Sequence, residues 1–299
     1  MRQVSFYIAI VLLFFCTVSN AQQGQENFDN SIIWEIRKTK KSKPSYILGS
    51  IHIMDTTKLN FPIKKLEKLL DGCKVLCTEI IYDEANAKEF ADKIMLSNQE
   101  KNIINTLEPD YYNRLLEILN ASKRELNLFK DERVLRVIRP SVLALMITMD
   151  KQSNSVLFEN NNFSPEKHFG VYAKERNYSI NQLETIQEQV LMLSYSTFEE
   201  EIEALKKIID ENSKDPIDIY LQYQKQDLRL LSPEVYADST MVTRNKKMAD
   251  GIESLINEKK RAFVMIGAAH LPYETGVLNL LLQKGYVIKP YALSLYDKE

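Results

Sequence analysis

Glycine is scarce in this chain, with 8 in 299 residues, and histidine is scarcer, with 3. No phosphate loop, dinucleotide fingerprint or G-x-S-x-G elbow occurs, which removes the common nucleotide enzymes and the serine hydrolases built on that elbow. The H-E-x-x-H helix of ordinary zinc proteases is also missing. Cysteine is too rare to define a disulfide scaffold. Apart from Cys16 in the N-terminal stretch, only Cys73 and Cys77 are present. Both read as small hydrophobes of one strand, about 13 Å apart at ~3.3 Å per residue and so out of bridging range. Charge of one sign is not in excess: the formal net charge is −2, which argues against a nucleic-acid footprint. No low-complexity linker interrupts the chain.

Only one stretch could concern a membrane. Arg2 precedes a nearly unbroken apolar run over residues 4–18, and Ser19-Asn20-Ala21 then offers small residues. This is the pattern of a cleaved signal peptide over residues 1–21, with residues 22–299 exported to the periplasm or secreted. The run is short for a span of ~20 residues; a retained N-terminal anchor is the alternative, and membrane contact is expected only in that case.

What is present has a repeated layout. "YILGSIH" and "FVMIGAAH" each place an apolar run before a glycine, with a histidine three residues on: Gly49 then His52, Gly267 then His270. The first copy continues into a helix through "KKLEKLLDG", closed by Gly72, and an apolar strand "KVLCTEI". The second continues into "TGVLNLLLQKG", closed by Gly285, and "YVIKPYAL". A hairpin precedes the first copy, with strands at residues 32–36 and 46–51. Its basic loop, residues 37–43, reads as a solvated turn. Between the copies the spacing is helical. The expected fold is therefore α/β: a small mixed or parallel sheet from two related βαβ-like lobes, in one domain with a helical insertion over about residues 85–240. Each histidine should lie just past the carboxyl end of a strand, the edge where open α/β sheets bind ligands.

Three residues are candidates for chemistry at that edge. Neutral imidazoles at His52 and His270 can bind a metal or accept a proton. Glu79 ends the strand expected to neighbour the His52 strand, and a carboxylate there is costly unless paired or bound to a cation. Two histidines and a glutamate suit a divalent ion with open positions for water. The alternative for Glu79 is a salt bridge to Arg244 or Arg139. His168 falls where a helix begins and reads as an exposed first-turn residue.

"LGSIHIMD", "CTEI", "LETIQEQ", "RNKKMA" and "VMIGAAHLPYETGVLNLLLQKGYVI" together resemble the TraB/PrgY/GumN family, which carries two G-x-x-H motifs and includes Tiki-type metalloproteases. Trp34 fits as well. The resemblance covers about residues 31–290, with the helical middle matching in patches. It implies a core related to erythromycin-esterase-like and ChaN-like proteins, and a peptide or protein substrate cleaved with manganese or cobalt, or with zinc. It assigns His52, Glu79 and His270 to the metal, Glu79 (as an alternative to ligation) and Arg244 to catalysis, and Glu184 to a supporting position. It also leaves two other uses of the same histidines: a metal-independent esterase with a histidine base, and a non-catalytic haem- or metal-binding protein.

Overall fold

The computed structural model describes residues 31–51, 61–81, 83–96, 100–122, 126–153, 165–194, 197–211, 219–230, 236–258 and 260–293. They form two compact units. One holds all six strands; the other, built from residues 84–155 and 186–218, is helical.

The sheet unit begins with the expected hairpin, β1 (Ile33–Arg37) and β2 (Ser45–Ser50). Trp34 is buried in β1, and its indole N–H donates to the Ser31 carbonyl at 3.1 Å. Helix α1 (Ile63–Cys73) follows, turning Leu66 and Leu70 into the core. Its end is set by Lys74, in the left-handed region at φ 60°, so Gly72 lies inside the helix rather than past it. Strand β3 (Val75–Thr78) comes next. Cys73 therefore closes a helix while Cys77 lies in a strand, and the reading of both in one strand is corrected. Both thiols are free and buried.

Helix α2 (Pro165–Glu175) leads to β4 (Ser179–Gln182). Helix α3 (Ile219–Gln224) and the long α4 (Ser239–Asn257) lead to β5 (Phe263–Gly267). Helix α5 (Val277–Gln283) and β6 (Val287–Pro290) complete the unit. The strand order is β4-β3-β5-β2-β1-β6. The pairs β4–β3, β3–β5 and β5–β2 are parallel, while β1 is antiparallel to both β2 and β6. The fold is α/β with a mixed sheet.

Two features differ from the expected layout. First, α2 and β4 join the sheet although they fall inside the stretch read as a helical insertion. "SINQ" carries no apolar alternation because it is a short, exposed edge strand. Second, β5 lies between β2 and β3, so the Glu79 strand neighbours the His270 strand and not the His52 strand. The two motif strands are themselves partners, with Ser50 opposite Gly267.

This order has a consequence for ligand binding. From β2 the chain crosses through α1 to β3 on one side; from β5 it crosses through α5 to β6 on the other. Right-handed crossovers then place α1 and α5 on opposite faces. Adjacent strands whose connections diverge open a crevice at their carboxyl ends. The strands that form that edge, β2, β3 and most of β5, are buried.

The helical unit has its own core. Leu115 and Leu119 of the helix Pro109–Ala121, Leu143 and Ile147 of Pro140–Ser153, and Leu205 of Phe198–Asp210 are buried in it. The last helix starts with a capping box between Thr197 and Glu200. Arg139 pairs with the buried Glu201. No helix among the described residues is long and apolar enough to cross a membrane.

Candidate functional site

Glu79 follows directly on β3. Its carbonyl accepts from the Glu184 N–H at 2.8 Å, so the chain beyond β4 is tied to the end of β3. Its side chain is buried, and Oε1 accepts from the Gly267 N–H, at the end of β5, at 2.5 Å. A charge-assisted bond of this kind is stronger than a neutral one. It fixes the carboxylate across the edge of two neighbouring strands.

Arg244 comes from α4. Its Nε and Nη2 donate to the two oxygens of Glu184, each at 2.6 Å, as a fork. Nη2 also reaches Glu79 Oε2 at 3.5 Å. Arg244 thus stands between two buried carboxylates, and the salt-bridge partner of Glu79 is Arg244, not Arg139. The rigid guanidinium suits such a fork; a lysine could not reproduce it.

His270 closes the short 3₁₀ turn Ala268–His270 that continues β5. Its Nε2 lies 3.9 Å from Glu79 Oε1, beyond a hydrogen bond. The other ring nitrogen, Nδ1, is 2.6 Å from Asn245 Oδ1. The Asn245 amide is oriented by its own Nδ2, which donates to the Thr275 carbonyl at 2.9 Å. Oδ1 must therefore accept and Nδ1 must carry a proton, which leaves Nε2 as the ring nitrogen facing Glu79. Asn245 was not among the residues picked out from sequence. Its only signal was its place after Arg244 in "RNKKMA", where it reads as one more polar residue of a helix.

The carboxyl end of β2 shows a second missed residue. Glu166, in the first turn of α2, is buried and accepts from Ser50 Oγ at 2.5 Å. Tyr223, from α3, donates to the Gly49 carbonyl at 2.6 Å. Burial, with the Glu166 charge adding to it, holds the Tyr223 hydroxyl well above its ordinary pKa, so it stays a donor. Two long-range contacts therefore fix the Gly49–Ser50 peptides. His52 itself lies outside the described residues. His168 stands away from this set: it is partly buried, with Nε2 3.0 Å from Glu67 Oε1 of α1. The exposed position expected for it is corrected, because α2 packs on α1.

Glu79, Arg244, Glu184 and His270 are thus brought to one edge of one sheet. A sequence model of the TraB/PrgY/gumN family matches residues 32–290. The chain belongs to that family. No curated protein and no solved structure matches it. Within the family match fall both G-x-x-H motifs, Glu79, Glu184 and Arg244.

The donor types can be weighed against a divalent ion. A carboxylate oxygen and an imidazole nitrogen are suitable ligands for manganese, cobalt or zinc. The 3.9 Å gap between Glu79 Oε1 and His270 Nε2 is too long for a hydrogen bond and short enough for both atoms to meet one ion. Among the described residues no group of three or more His, Cys, Asp and Glu gathers as a metal site. The two described donors fit the chemistry; a full site needs at least one more.

Proposed function

We propose that this member of the TraB/PrgY/gumN family is an exported metal-dependent hydrolase that cleaves peptide bonds. The supporting observation is the pair Asn245–His270, which occupies Nδ1 and directs Nε2 of the imidazole toward the buried carboxylate of Glu79. A metal-ligating histidine ordinarily donates its other N–H to an oxygen partner in this way. In this reading His270 and Glu79 hold the ion, and His52 is the third ligand. The Ser50–Gly267 register favours that choice, since both motif turns leave the sheet from neighbouring strands.

A divalent ion at such a site activates water and polarises a carbonyl. The chain's own residues do the rest. Glu184 keeps the Arg244 guanidinium in place, and Arg244 brings positive charge to the edge where an oxyanion or a substrate carboxylate would sit. The Gly267 N–H holds the Glu79 side chain in place. Asn245 prevents the His270 ring from turning. The core relationship to erythromycin-esterase-like and ChaN-like proteins belongs to the same proposal.

The experiment is a peptide-library digest read by mass spectrometry, before and after EDTA, with manganese, cobalt or zinc restored. Cleavage that stops on chelation and returns with metal supports the reading. The same imidazole also suits a histidine general base acting on an ester, the second reading. Hydrolysis that survives EDTA would select it and remove the first.

A further inference from the structure

A cavity of about 120 Å³ lies between α2 and the β3–β4 pair. Leu76, Ile80, Ile81, Val171 and Ile180 give it an apolar wall. Dry apolar cavities of about 150 Å³ take up a benzene-sized guest, so this one accommodates a small aliphatic group. None of Glu79, Arg244 and His270 lines it.

Gly170 marks it as more than a packing gap. Glycine inside a helix is destabilising relative to alanine. Such a glycine is usually explained by a neighbour that needs the room. Here a Cβ built on Gly170 meets nothing within 4 Å. The room kept by the missing side chain is cavity, not protein. Val171 beside it is 50% exposed, one of few large hydrophobics left so open among the described residues.

The charges are arranged unevenly. Lys167, Gly170, Val171 and Lys174 form one stripe along α2, and all four line the cavity. Lys167 and Lys174 are two turns apart, about 10 Å along the axis. At the first end Lys167 stands beside Glu166, which is already engaged by Ser50; at the other end, Lys174 has no carboxylate partner among the described residues. An anionic group meets both signs of charge at the first end and only a positive one at the second.

We propose that this cavity binds an aliphatic carboxylate, with its hydrocarbon part against Leu76, Ile80, Val171 and Ile180 and its charge on Lys174. A leucine-like residue at a peptide's C-terminus and a short alkyl acid share this chemistry. The site is independent of the metal reading and stands if that reading fails.

The test is a titration of the protein, labelled at its Ile, Leu and Val methyls, with N-acetyl-leucine, N-acetyl-leucinamide and hexanoate, read by NMR. The methyl signals of Ile80, Ile81 and Val171 are expected to shift with an acid and to respond at least fivefold more weakly to the amide. Response to N-acetyl-leucine alone assigns the site to peptide C-termini; response to hexanoate alone assigns it to free alkyl acids; response to both supports the shared chemistry. Lys174→Gln should weaken acid binding severalfold and leave the amide unchanged. Gly170→Leu should abolish binding with no fall in Tm. No shift with either acid, or equal binding of acid and amide, overturns the proposal. So does a Gly170→Leu protein that unfolds earlier, since the space would then not be open.

Discussion

Asn245 Oδ1 lies 2.6 Å from His270 Nδ1, and the backbone carbonyl of Thr275 fixes which way the Asn245 amide faces. The tautomer of His270 is thereby set by a residue on a different element. Nitrogen-15 NMR of the metal-free protein should show His270 with a proton on Nδ1. Asn245→Ala removes the acceptor without adding bulk to this buried position. It should lower metal affinity by about 10–100-fold, the usual cost of losing such an outer partner, with the circular dichroism spectrum unchanged. A bare Nδ1 in the native protein would contradict the assignment.

Arg244 stands between the buried carboxylates of Glu184 and Glu79. Removing one partner of a buried pair leaves a charge without compensation and costs about 3–5 kcal/mol. Arg244→Ala should therefore lower stability by roughly that amount in urea titration. The double variant Arg244→Met with Glu184→Gln should lose less, because charge and counter-charge go together. In the metal-loaded protein Arg244→Ala should also cut turnover while the ion stays bound; loss of the ion would refute the role given to Arg244.

Gly49 precedes the first motif histidine by three residues, and the backbone needs the space there. A Cβ would come 2.7 Å from Leu271 Cδ1 and 3.1 Å from Ala268 Cα. The leucine tip can move, but the Ala268 backbone belongs to the turn that carries His270. Gly49→Ala should cost about 1–3 kcal/mol, the usual range for overpacking, measured as a lower urea midpoint.

The two cysteines give a pH signature. Burial pushes the Cys77 thiol up to about 12 and Cys73 to about 11, the latter partly offset by Arg261. An unfolded thiol ionises near 9. Above that pH the unfolded chain has lost protons that the folded chain keeps, so unfolding becomes easier as pH rises. Stability should hold below pH 9 and fall progressively toward pH 11–12, and replacing both cysteines with alanine should flatten part of that fall. At pH 8 iodoacetamide should label neither thiol until urea unfolds the chain.

Much of this architecture was legible because local patterns carry it. The apolar runs before Gly49 and Gly267 are strands of the sheet, and the helix–strand order after each appears as read. Strand order was not legible. That β5 enters between β2 and β3 depends on contacts more than a hundred residues apart, which no local period encodes. Strand β4 was missed because an exposed edge needs no apolar face. Glu79, Arg244 and Glu184 could be picked out as charges at the ends of apolar segments or in family motifs. Asn245 and Glu166 could not: each is a polar residue on an amphipathic helix, and only the fold reveals that it is turned inward.

The central claim is that one divalent ion is held by His270 and Glu79 together with His52. Its most direct test is metal content. The purified protein, loaded in turn with manganese, cobalt and zinc and then desalted, is assayed by mass spectrometry beside His52→Ala, Glu79→Gln and His270→Ala. The account predicts about one ion per chain, lost in all three variants. An unloaded native protein, or an ion retained in any of the three variants, would contradict it.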